Sequence, residues 1–141
     1  AESAVLALES IGAEVTVAVR DVAKVTASGT FPSARIVPLG PDADAALAES
    51  DAAVSTIPPG AEFAFELPAL RAEQTLLDVA YAPWPTPLAA AWTASGGTIV
   101  HGLEMLLHQA VHQIRIFVAG DPSTPLPDEA AVIRAMRAAV E

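Results

Sequence analysis

The sequence predicts an α/β fold in which a parallel sheet is covered by helices on both faces. Two observations lead there. The apolar strand segments are near-continuous, as expected of strands buried on both sides, and helical stretches separate them in the way right-handed β-α-β crossovers require. The length of 141 residues fits one domain able to bury a sizeable core, with no internal repeat or heptad array.

The elements follow in order. Ala1 to Ile11 places Ala4, Val5, Leu8 and Ile11 on one helical stripe, and Gly12 suits the position just past a helix end. The chain thus opens inside a helix with no strand before it, which points to a piece of a longer polypeptide whose sheet lacks its first strand. Glu14 to Arg20 is rich in β-branched residues and reads as a strand, followed by a short helix from Asp21 to about Ser28. Ala34 to Leu39 is the next strand, and DADAALAES a helix. Asp51 to Ile57 is an apolar strand stopped by Pro58, Pro59 and Gly60. Thr75 to Tyr81 reads as a strand. Thr86 to Ser95 is a helix with Thr86 as N-cap and Pro87 at its first position. Gly97 to Val100 is a short strand; a long helix runs from about Leu103 to Ala119, closed by Gly120, and a last helix from about Asp128 to Val140.

Composition excludes several partners. Seventeen acidic residues against seven basic ones give a formal charge of −10, which opposes a polyanion, so nucleic acid is not expected. The absence of cysteine excludes a disulfide scaffold and a Cys-ligated metal site. No apolar run reaches the ~20 residues that span a bilayer and no signal-peptide order is visible, so no membrane partner and a cytoplasmic location are expected.

In parallel sheets ligands gather outside the carboxyl ends of the strands. Arg20 and Lys24 fall just after the first visible strand. In a dinucleotide-binding sheet that position faces the adenosine ribose, where an arginine accommodates a 2′-phosphate and an acidic residue reads the free hydroxyl. Asp21, beside Arg20, keeps the second choice open, and a merely solvated pair is the plainer alternative. Glu104, His108 and His112 recur at helical spacing. A metal site and a solvated polar stripe opposite Leu103, Leu107, Ala110, Ile114 and Phe117 both account for them, and the stripe needs no ligand. No metal is therefore assigned. The chain has no G-x-S-x-G, H-E-x-x-H, Walker A or G-x-G-x-x-G motif.

Three segments carry a family resemblance: AVSTIP (Ala53 to Pro58), DVAYAPWPTPL (Asp78 to Leu88) and GLEMLLHQA (Gly102 to Ala110). They resemble the C-terminal, NADP-binding, Rossmann-like domain of shikimate dehydrogenase, most closely the actinobacterial type, over nearly the whole chain. The most specific pattern is G-x-x-M-L-x-x-Q, formed by Gly102, Met105, Leu106 and Gln109. The opening AESAVLALESIGAEVTV looks like the segment after that family's glycine-rich phosphate loop.

The resemblance implies a single dinucleotide-binding domain, 1–141, from a two-domain enzyme that reversibly reduces 3-dehydroshikimate to shikimate with NADPH in aromatic amino acid biosynthesis. It gives Arg20 and Lys24 the 2′-phosphate, lays Ser55, Thr56 and Ile57 along the dinucleotide, puts Val79, Gly102 and Met105 around the nicotinamide, and makes Tyr81 and Gln109 substrate contacts. Val19 and Asp21 stand where the family's N-R-T motif has asparagine and threonine, which keeps NAD open as cofactor; Ala82 replaces a polar residue that relatives often have. The family's catalytic Lys and Asp belong to a separate N-terminal substrate domain, the expected partner. The only lysine here is Lys24, so no catalytic residue is assigned to this chain. A non-catalytic dinucleotide-binding or scaffold domain and an NAD-linked quinate/shikimate dehydrogenase are the alternatives, and assembly as a homodimer is open.

Overall fold

The computed structural model describes residues 1–58, 60–61 and 64–140. Every helix and strand expected from the sequence is present: α1 (Glu2–Ser10), β1 (Thr16–Val19), α2 (Val22–Ser28), β2 (Arg35–Pro38), α3 (Pro41–Glu49), β3 (Ala52–Ser55), β4 (Thr75–Asp78), α4 (Pro87–Ala94), β5 (Thr98–His101), α5 (Gly102–Ala119) and α6 (Glu129–Ala138). They divide between two compact units, Ala1–Val100 and His101–Glu141.

The strands form two sheets, β1-β2 and β3-β4-β5, rather than one. The β1/β2 and β3/β4 pairs are parallel, with Val17 opposite Ile36 and Ser55 opposite Asp78. β1 and β2 are joined through α2, whereas β3 and β4 are joined by residues 56–74 with no helix among the described residues; parallel pairing in both cases puts the carboxyl ends of each pair on one edge. This is the α/β, Rossmann-like arrangement predicted.

Local chemistry fixes the helix ends nearest those edges. The Asp21 carboxylate caps α2 by accepting the Lys24 N–H at 2.9 Å, and Thr86 caps α4 by accepting the Ala89 N–H at 3.1 Å with Pro87 in the first turn. Each satisfies an amide that the first helical turn leaves unpaired. Gly120, at φ 74°, closes α5 in the left-handed conformation open to glycine.

The core of the first unit lies between β3-β4-β5 and α4. Leu76 and Trp92 are fully buried and Leu88 nearly so, with Leu47, Ala53, Phe65, Leu70 and Ile99 packed around them. Leu88 and Trp92 are one helical turn apart and so present one face of α4 to the sheet. Gln74 is also buried, and both ends of its amide are engaged: the NH2 donates to the Ala48 and Ser50 carbonyls at 2.9 and 2.6 Å, and the carbonyl accepts the Arg71 N–H at 2.7 Å.

Two expectations need correction. The strand from Thr75 ends at Asp78, not Tyr81. The Asp78 carboxylate turns back to accept the Ala80 N–H at 3.2 Å, a local bond that competes with ladder pairing and diverts the chain into a loop. That loop holds cis peptide bonds at Ala82–Pro83 and Trp84–Pro85. In the second unit Leu107 and Val111 are buried as expected, but Phe117, assigned to the same apolar stripe, is 87% exposed. At 100° per residue it lies about 80° round the helix from Leu107, off the buried line.

Candidate functional site

The β1 edge presents the two predicted cations. Arg20 immediately follows β1 and Lys24 lies in the first turn of α2, both exposed. Neither side chain has a hydrogen bond or ion pair among the described residues, so both charges are available to an anion. Asp21 is differently placed. Its commitment to the α2 N-terminus sets one carboxylate oxygen on a backbone amide, beside the positive end of the helix.

Across β3 and β4 the edge is tighter. Ser55 ends β3 and is 6% exposed; Thr56 is exposed and Ile57 half-buried. The Val79 N–H donates to the Ser55 carbonyl at 3.0 Å, extending the ladder one residue past β4. Ser55 and Ile57 therefore come together with Asp78 and Ala80 in one cleft, walled by the prolines of the 82–87 turn. Tyr81 is 52% exposed, in the loop beyond β4.

Sequence reasoning passed over Asp78. It is 1% exposed, and its carboxylate accepts from both the Ala80 N–H and the Thr86 hydroxyl. Thr86 in turn caps α4, so one buried acid joins the end of β4 to the start of α4. Its charge sits at the positive end of that helix, which offsets part of the cost of burial. The available signal was an acid closing an apolar strand, with T-P eight and nine positions on.

In the second unit, Gly102 is the buried first residue of α5, Met105 is half-buried, and Gln109, one turn on, is exposed. His101 caps this helix, its Nδ1 accepting the Leu103 N–H at 3.0 Å. Glu104, the carboxylate of the histidine-rich stripe, is bound through both oxygens to Arg137 at 2.6 and 3.0 Å. Those hydrogen bonds hold its pKa below the ordinary carboxylate value. Among the described residues no three His, Asp or Glu side chains are gathered as a metal would require. Glu104 of the polar stripe is thus engaged in an ion pair within its own unit.

No family model matches the chain. In sequence it is 36% identical over 103 residues to a shikimate dehydrogenase (NADP(+)) of Azorhizobium caulinodans, covering 70% of this chain and 37% of that protein. It is 39% identical over 70 residues to another of Nitrobacter hamburgensis, covering 50% of this chain and 24% of that protein. In structure it superposes on Mycobacterium tuberculosis shikimate dehydrogenase with a TM-score of 0.67 and 30% identity, over 99% of this chain and 52% of that one. The chain is a homologue of the shikimate dehydrogenases. A second neighbour, the Thermus thermophilus shikimate 5-dehydrogenase in complex with NADP(H) and shikimate, gives a TM-score of 0.66 at 25% identity, over 96% of this chain and 49% of that one. This homologue therefore spans about half the length of the solved relatives and about a third or less of the two sequence relatives. No described helix is long and apolar enough to cross a membrane.

Proposed function

We propose that the chain is the cofactor-binding part of an NADP-dependent shikimate dehydrogenase that interconverts 3-dehydroshikimate and shikimate in the cytoplasm, within aromatic amino acid biosynthesis. The observation that carries this reading is the unengaged pair of cations at the β1 edge, Arg20 and Lys24, in a chain that otherwise has few basic residues. A planar guanidinium offers two parallel donors to a phosphate, and a nearby ammonium adds a point charge. Asp21 holds one carboxylate oxygen on the α2 N-terminus, so the preference for NADP over NAD rests on the Arg20 and Lys24 charges.

In this reading Ser55, Thr56 and Ile57 follow the dinucleotide, Val79, Gly102 and Met105 surround the nicotinamide, and Tyr81 and Gln109 meet the substrate. Bound NADPH supplies the hydride. Orientation is the contribution of this chain: the phosphate is anchored at one strand end and the ring is held at others, so that proximity replaces a bimolecular encounter. The proton for the new alkoxide comes from a Lys and Asp pair outside these residues, on a substrate domain that completes the enzyme. The lone Lys24, at the phosphate end, does not serve.

Calorimetric titration of NADP+ and NAD+ is the direct test. Preferential NADP+ binding that is lost in Arg20→Ala supports the reading; equal affinity for both, unchanged by the substitution, rejects it. The 141 residues alone should not oxidise shikimate, whereas the protein joined to its substrate domain should.

A further inference from the structure

The ion pair to Arg137 engages Glu104, but the two histidines that continue its stripe along α5 are differently placed. His108 and His112 are exposed, and neither side chain makes a hydrogen bond or salt bridge among the described residues. His101, by contrast, spends its Nδ1 on the Leu103 amide.

Both rings stand well inside the 18-residue α5, so backbone hydrogen bonding rather than a loop fixes their separation. Residues four apart lie one above the other, with Cβ atoms about 5 to 6 Å apart. This is the H-x-x-x-H spacing with which a helix presents two imidazoles to one metal ion.

The neighbouring carboxylates decide the donor set. The charge of Glu104 reaches His108 and that of Glu129 reaches His112. Each of these acids is gripped through both oxygens by an arginine, Arg137 and Arg115 respectively, so neither is offered as a ligand. The available donors are nitrogen alone. Magnesium and calcium take oxygen ligands, whereas imidazole suits copper, nickel and zinc. The pair is short of the three protein ligands that a resident metal takes, which leaves the remaining positions to water. We propose that His108 and His112 form an open, two-imidazole chelate for a divalent transition ion, with copper(II) held most tightly. The site goes beyond the dehydrogenase reading and stands without it, since it uses no residue assigned to NADP or to shikimate.

Calorimetric titration of the protein with Cu²⁺, Ni²⁺, Zn²⁺ and Mg²⁺ in a non-coordinating buffer is the test. One ion per chain should bind, Cu²⁺ more tightly than Ni²⁺ or Zn²⁺, with no saturable heat from Mg²⁺. His108→Ala and His112→Ala should each weaken Ni²⁺ at least about tenfold, because the second imidazole otherwise binds from within the same molecule. Both positions are exposed and alanine favours a helix, so these variants keep the fold. Combining His112→Ala with Gln113→His keeps the number of histidines but turns one ring about 140° round the helix from His108. That double variant should bind as weakly as His112→Ala. Absence of saturable Ni²⁺ binding would overturn the proposal. So would Ni²⁺ affinity that survives either single substitution or returns with the shifted histidine, and Mg²⁺ bound as tightly as Ni²⁺ would make carboxylates the ligands instead.

Discussion

Asp78, the last residue of β4, accepts a hydrogen bond from the hydroxyl of Thr86, the N-cap of α4, and so closes the loop of residues 79–85 that carries Tyr81. Removing the acid strands the Thr86 hydroxyl and the Ala80 amide together. Asp78→Ala should therefore cost about 1.5 to 3 kcal/mol, the range for hydrogen bonds to charged groups, read as a lower urea midpoint. Thr86→Ala removes the α4 cap and also a donor to the buried Asp78 carboxylate, so it should cost as much, roughly 1.5 to 3 kcal/mol. Equal stability of Asp78→Ala and the parent would remove Asp78 from its structural role.

Gly97 packs directly beneath an indole. A Cβ added there would run into the Trp92 ring and approach Leu70 at 3.1 Å, and Trp92 is fully buried. Gly97→Ala should destabilise by about 1 to 3 kcal/mol, as overpacking does, and shift tryptophan emission as Trp92 moves. A neutral substitution with unchanged emission would contradict the packing described.

Glu129, which opens α6, is gripped by Arg115 of α5 at 2.6 and 2.7 Å and also accepts the Leu126 N–H, and these bonds push its pKa down to about 2. An acid depressed on folding contributes stability above its unfolded pKa, roughly 4.3, and loses it as pH falls through the folded value. Melting of the α5–α6 pair should thus weaken between about pH 5 and pH 2. Glu129→Gln should flatten that slope; an unchanged slope would assign it to other acids.

Arg20→Ala should weaken NADP by about 1.5 to 3 kcal/mol and leave NAD nearly untouched, with Lys24→Ala milder because an exposed ammonium is screened by salt. Equilibrium titration of both cofactors separates phosphate recognition from general loss of binding. An equal loss for the two would end the phosphate assignment.

For the substrate contacts, Gln109→Ala in the complete enzyme should reduce kcat/KM for shikimate by roughly 1 to 3 kcal/mol while cofactor affinity holds. Loss of NADP binding with intact shikimate affinity would move Gln109 to the cofactor side.

Most of the fold was legible because helix ends announce themselves chemically: Thr86-Pro87 and Gly120 fall where capping physics puts them. Strand ends were less so. Val79 and Ala80 continue the apolar run of β4, and only the side-chain bond of Asp78 to Ala80 stops the ladder, a contact that periodicity does not encode. The buried Gln74 was silent for the same reason, since its partners at Ala48 and Ser50 are distant in sequence. At the site, Arg20 and Lys24 were visible as rare cations beyond a strand. Asp78 was hidden because its role depends on a helix start brought back to it by the intervening loop.

β1 has only β2 as a strand neighbour and β3 only β4 among the described residues, so each of these parallel strands ends a sheet. Main-chain groups left outside a ladder are a template on which any extended chain can crystallise its own pairing, and Thr16 and Ala18 on β1 are exposed. At high concentration that template is expected to recruit other copies. The charge of −10 works against such recruitment by holding molecules apart, and added salt removes that protection. Self-association through these strand edges is therefore expected to rise with ionic strength, which light scattering in low and high salt checks.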